Sequence, residues 1–157
     1  MPRRRGQNRG VQPFRTPIKT TVLPMPAELL VPISPGELID KITILEIKSA
    51  RMTDAAKLHN VRTELTLLNE TWAASEFSRQ ADIRDEWNGL RDVNGQLWDI
   101  EDEIRDKERD GQFDAKFIEL ARAVYVTNDE RAAIKRRINT KLGSLLVEEK
   151  SYKEYRK

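Results

Sequence analysis

Beyond Pro35 this chain contains no proline, and that asymmetry restricts its fold more than any other feature. Six of the seven prolines fall within the first 32 residues, at Pro2, Pro13, Pro17, Pro24, Pro26 and Pro32. Each lacks an N–H, fixes its own φ and pushes the residue before it toward extended backbone, so no stable helix is expected there. Pro35 has a different setting, Ser34-Pro35-Gly36-Glu37. This is a complete capping box: the Ser34 hydroxyl can accept from the Glu37 amide, and the Glu37 carboxylate can reach back to the Ser34 amide. Proline then occupies the first helical position, where a missing N–H costs nothing. A helix is expected to begin there.

The rest reads as helices with short links. The first is expected over about Ser34 to Met52, with Leu38, Ile42, Leu45 and Ser49 on one stripe and Ile39, Ile44 and Ile47 on other faces. Apolar residues on several faces imply several neighbours. The second, about Asp54 to Glu76, carries Leu58, Val61, Leu65, Leu68 and Trp72 at heptad spacing. The third, about Ala81 to Arg109, has Ile83, Trp87, Leu90, Leu97 and Ile104 on one stripe, interrupted by Asn94 and Glu101. Gly111 reads as its stop, and Asp114 as the cap of a fourth helix reaching about Leu142, before Gly143-Ser144. Short links make sequential helices antiparallel neighbours. The expected fold is all-α: an antiparallel up-and-down bundle of about four helices with a disordered N-terminal arm. Residues 1–33 form the basic, Pro/Arg-rich flexible arm, 34–146 the bundle and 147–157 a charged tail.

At 157 residues there is room for one domain, burying roughly two-thirds of its unfolded surface. The absence of cysteine excludes disulfides and thiolate chemistry and suits a reducing compartment. No apolar run approaches the roughly 20 residues that span a bilayer, so membrane insertion is not expected. No apolar h-region follows the N-terminal arginines, so neither is a secretory signal. The net charge of +2 conceals an asymmetry: residues 1–27 carry Arg3, Arg4, Arg5, Arg9, Arg15 and Lys19 without an acid, +6, leaving −4 for the remainder. Any case for nucleic acid therefore rests on the arm. Met25-Pro26-Ala27 offers an alternative start that would remove it.

Polar residues on apolar stripes are the candidates for chemistry. Asn94 and Glu101 on the third helix, Asn128, Arg131 and Lys135 on the fourth, and Asp40 and Glu46 on the first all stand where apolar groups are expected. A buried charge is costly unless paired. They should therefore meet one another, as a register-setting network, or meet a ligand, with Arg131 and Lys135 addressing an anion. Glu103 and Asp106 share a helical face, but Arg105, Lys107 and Arg109 interleave with them, which favours a salt-bridged solvated face over a Mg²⁺ site. His59 is the only histidine, too few for a carboxylate-bridged di-iron bundle. Trp72, Trp87 and Trp98 read as core rather than as a stacking platform. Arg3-Arg4-Arg5-Gly6-Gln7-Asn8-Arg9-Gly10 resembles arginine–glycine segments that bind RNA. No phosphate loop, nucleophile elbow or metal motif is present.

From about Ile33 to Tyr155 the chain resembles the DUF6165 family of bacterial and viral proteins of unknown function. The resemblance is carried by Ile33-Ser34-Pro35-Gly36-Glu37-Leu38-Ile39-Asp40-Lys41 and Thr43-Ile44-Leu45-Glu46-Ile47-Lys48. Further on it continues in Leu97-Trp98-Asp99-Ile100-Glu101-Asp102, Arg105-Asp106-Lys107-Glu108, Asn128 and Glu148-Glu149-Lys150-Ser151-Tyr152. It implies no activity. It marks the start of the first helix and the Trp98–Glu108 segment, and a site would be sought where the two meet.

The expected function is that of a non-enzymatic interaction or structural protein, with a protein partner or a second copy meeting a tryptophan-bearing seam. One alternative is a small enzyme or polar-ligand bundle using Glu37, Asp40, Lys41, Glu101, Arg105, Arg131 and Lys135. Another is a weak nucleic-acid tether through Arg3, Arg4, Arg5 and Arg9. No catalytic residue, metal site or cofactor is indicated, and the expected setting is cytoplasmic.

Overall fold

A computed structural model describes residues 29–147, 149–151 and 153. The arm, with Arg3, Arg4, Arg5 and Arg9, lies outside the described residues. Among the described residues, all the helices lie within the unit Pro32–Lys157.

Among the described residues there are four α-helices: α1 (Pro35–Arg51), α2 (Ala55–Ala74), α3 (Arg84–Arg109) and α4 (Ala115–Lys141). Ser34 caps α1, its Oγ accepting from the Glu37 amide at 3.2 Å, with Pro35 in the first turn. Asp54 accepts from Lys57 N at 2.9 Å and Asp114 from Phe117 N at 3.0 Å. α2 ends at Ser75 and gives way to a 3₁₀ turn, Glu76–Arg79. That turn and the bond from the Arg84 amide to Asp82, at 3.0 Å, delay α3 until Arg84 rather than Ala81. At the far end Gly111 takes φ +65°, and the Gln112 amide donates back to the Lys107 carbonyl at 2.9 Å. Gly143 repeats the device at φ +60°, with the Ser144 amide on the Asn139 carbonyl at 2.9 Å.

The core is built from α1, α3, α4 and the α3 cap: Ile39, Ile83, Leu90, Val93, Leu97, Ile134, Ile138 and Leu142. α1 is the hub, packed against all three other helices, while α3 and α4 pair along their length. α2 contributes no buried residue. It lies against α1 and is tied to α3 at its C-terminal end, where Trp72 meets Trp87 edge-on with centroids 5.9 Å apart. The tryptophans are half-buried rather than enclosed. Because α1 has 17 residues against 26 and 27 for α3 and α4, the α3–α4 hairpin outruns it. Phe113 and Ile118, near the hairpin tip, remain exposed.

Candidate functional site

The polar positions on α1, α3 and α4 converge on Asp40, which is 2% exposed. Its Oδ1 accepts from Asn94 Nδ2 at 2.9 Å, and the same amide donates to Thr43 Oγ1 at 3.0 Å. Thr43 Oγ1 in turn donates to the Asp40 carbonyl at 2.9 Å. Asp40 Oδ2 faces the Arg131 guanidinium, Nη2 at 3.1 Å and Nε at 3.2 Å, with Lys135 Nζ at 3.8 Å. Lys135 is itself buried and gives its closer contact, 2.8 Å, to Glu37 Oε2. Arg131 Nη1 also reaches Asn128 Oδ1 at 3.3 Å. One helical turn along α4, Asn139 Oδ1 accepts from the Gly36 amide at 2.8 Å. Three helices thus meet through a cluster in which each of the two Asp40 oxygens is matched to donors. Such a network is costly to break and fixes the register of the elements that make it.

Of the seven residues singled out for a ligand, Glu37, Asp40, Arg131 and Lys135 come together. Lys41 instead reaches Glu64 of α2 at 2.6 Å. Glu101 and Arg105 pair with each other at 2.6 Å, an i, i+4 bridge on the part of α3 that outruns α1. Glu46 is half-buried and takes Arg91 at 2.9 Å. Asp106 pairs with Arg109 at 3.0 Å, and His59 is exposed. Among the described residues no group of three His, Cys, Asp or Glu side chains could hold a metal ion, and no helix is long and apolar enough to cross a membrane.

Where the end of α1 meets Trp98 and Asp99, Arg51 pairs with Asp99 and lies over the Trp98 ring, 6.0 Å from its centroid. A groove of about 810 Å³ opens beside it, lined in part by Glu46, Arg51, Arg91 and Asp92. Two further features had no sequence signal. Glu86 in the first turn of α3 is buried and takes Lys141 of α4 at 2.6 Å. The C-terminal tail folds back along α4, where Glu149 pairs with Arg136 at 3.0 Å and Lys150 Nζ donates to the Asn128 carbonyl at 3.0 Å. Burial opposes ionisation of Glu86, but the Lys141 ammonium and the field of Arg137 outweigh it and hold its carboxyl below the ordinary range.

The residues of this framework are those that a family description covers. A model described as a family of unknown function (DUF6165) matches residues 29–155. The chain belongs to the DUF6165 family. The match takes in all four helices and the returning tail, so the Gly36–Asn139 docking, the Asp40 cluster and the Glu149–Arg136 pair lie inside the DUF6165 region. No curated protein and no solved structure matches the chain.

Proposed function

We propose that this protein is a non-enzymatic interaction protein whose partner is a macromolecule, and in the first instance a second copy of itself. The observation that carries the reading is the state of α2. Its heptad stripe, Leu58, Val61, Leu65, Leu68 and Trp72, is covered on one side only, so every member is half-buried. Leu67 beside it is 46% exposed. A heptad seam is most stable when both of its flanks are packed, and a half-covered seam ending in a tryptophan is suited to a partner helix. The Asp40 cluster supports the same reading from the other side, because both carboxylate oxygens of Asp40 are matched to donors within the protein, which suits an architectural role. A cytoplasmic setting fits a chain without cysteine.

The test is sedimentation velocity of the full chain over a wide concentration range, beside a Leu58→Arg/Leu67→Arg variant. The native chain is expected to dimerise and the variant to remain monomeric with unchanged helical circular dichroism. A native chain that stays monomeric throughout and retains no protein partner counts against the reading. The +6 of residues 1–27 supports a second role, a weak nucleic-acid tether.

A further inference from the structure

We infer that the outer half of the α3–α4 hairpin is a docking face for a cationic amphipathic helix of a partner protein. The two helices pair antiparallel along their length, Glu86 meeting Lys141 at one end and Lys107 meeting Asp114 at the other. Residues seven apart on a packed helix share a face. Where α1 covers the hairpin, its Asp40 joins Asn94 of α3 to Arg131 of α4. Seven residues further out along each helix the same positions are Glu101 and Val124, and seven further again they are Glu108 and Phe117. α1 ends at Arg51, which pairs with Asp99, so it stops short of both outer pairs.

Exposure follows the end of α1. Asn94 is 5% exposed, whereas Glu101, Val124 and Phe117 are half-buried and Glu108 is exposed. Ile118 beside Phe117 is 57% exposed, and Phe113, edge-on to Phe117 with centroids 5.2 Å apart, is 61% exposed. The face therefore has an acidic rail on α3 and an apolar rail on α4. From Asp99 to Arg109 it runs about 15 Å, room for a helix of about three turns. The described part of the tail stays toward the other end of α4, with Glu149 on Arg136 and Lys150 on the Asn128 carbonyl.

Charge selects the occupant. Residues 98–126 carry nine acids and five bases, hence 5 − 9 = −4. From Glu28 onward the chain as a whole carries −4, so the outer hairpin holds that entire surplus and the remainder is neutral. A second copy presenting this face would bring its own −4, and a nucleic acid or an anionic lipid surface would be repelled. Glu101 already holds Arg105, while Glu108 forms no ion pair among the described residues. A helix with Lys or Arg along one flank and aliphatic residues along the next matches both rails, and it would lie as a third helix in line with α1.

The test is fluorescence anisotropy of the full chain at about 0.15 M salt, with a labelled amphipathic leucine–lysine helix of about 14 residues as the probe. The control peptides are the same composition in scrambled order and the same pattern with glutamate for lysine. The lysine helix is expected to bind at roughly micromolar concentration, the scrambled peptide roughly ten-fold more weakly or worse, and the glutamate helix not at all. Glu101→Lys/Glu108→Lys and Phe113→Ser/Ile118→Ser should each weaken binding roughly ten-fold or more, with unchanged helical circular dichroism. Glu70→Lys/Glu76→Lys makes the same charge change at exposed residues elsewhere and should leave binding unchanged. The inference is overturned if the lysine helix does not bind or if the scrambled peptide binds as well. It is equally overturned if the serine variant binds unchanged, or if the changes at Glu70 and Glu76 weaken binding as much as those at Glu101 and Glu108. Nothing in α2 forms part of this face, so a chain that stays monomeric leaves it standing.

Discussion

Gly36 on α1 is pressed against the backbone of Lys135 on α4. A Cβ placed on Gly36 would stand 2.6 Å from the Lys135 carbonyl oxygen and 2.9 Å from Asn139 Oδ1. The first of these is backbone and cannot swing aside, so any side chain here drives the two helices apart and lengthens the bond from the Gly36 amide to Asn139. The glycine of the SPGE box is therefore a packing requirement as well as part of a helix start.

Gly36→Ala is expected to destabilise the protein by about 2 kcal/mol, because overpacking of about 1–3 kcal/mol outweighs at most about 1 kcal/mol from alanine's better helix propensity. Urea denaturation measures it. A neutral or stabilising result would mean that the N-terminus of α1 is not docked on α4.

Asp40→Ala removes the acceptor shared by Asn94, Arg131 and Lys135, leaving the half-buried Arg131 guanidinium without its carboxylate and the buried Lys135 with Glu37 alone. The expected loss is about 3–5 kcal/mol. Glu101→Ala, at the exposed pair with Arg105, should cost no more than about 0.5 kcal/mol. The contrast between the two, read from the same denaturation series, separates a structural cluster from a ligand site, where removing a strained charge often increases stability.

Acid should destabilise the fold through a short set of carboxylates. The bonded Arg84 guanidinium, together with the Arg84 amide, lowers Asp82 from 3.8 to about 2. Lys107 and the Phe117 amide lower Asp114, and Glu86 is lowered as described above. A carboxyl with a lower pKa folded than unfolded binds fewer protons in the folded state. Its contribution is therefore complete above the unfolded value and lost as pH falls through the folded one. For Asp82 that window runs from 3.8 down to about 2. The urea midpoint should drop across it, and Asp82→Asn should flatten the drop without altering stability's pH dependence near neutrality.

Binding of single-stranded RNA by the full chain should fall steeply with salt. With six cations in the arm and no acid, a log–log slope of up to about −4 is expected at roughly 0.7 per neutralised phosphate. Fluorescence anisotropy of a labelled oligonucleotide at several salt concentrations measures it, and a version starting at Met25 should lose most of the binding. Equal, salt-insensitive binding by both would remove the arm from the argument.

Helix starts and stops were legible in the sequence because they are made by atoms a few residues apart. Ser34, Asp54 and Asp114 cap at i+3, and Gly111 and Gly143 supply the left-handed residue just beyond a helix end. The start of α3 was read three residues early, since apolar Ile83 extends the stripe while the Asp82–Arg84 turn holds the backbone out of the helix. Periodicity also placed Asn94 and Glu101 on the same stripe. Only Asn94 is buried, because α1 ends before it can cover Glu101. Glu86 gave no warning at all: an acid in a first helical turn ordinarily complements the helix dipole in solvent.

The sequence by itself thus determined an all-helical body and the caps of α1, α2 and α4, since these follow from hydrogen bonds within a turn and from the period of apolar residues. Tertiary structure alone decided that α1 is the hub, that α2 is left half-covered, and that Asp40 meets Arg131 across 91 residues. It also decided that Glu86 is buried beside a groove lined in part by Lys150 of the tail. Those outcomes depend on which faces meet and how far each helix reaches along its neighbours, and long-range packing sets both.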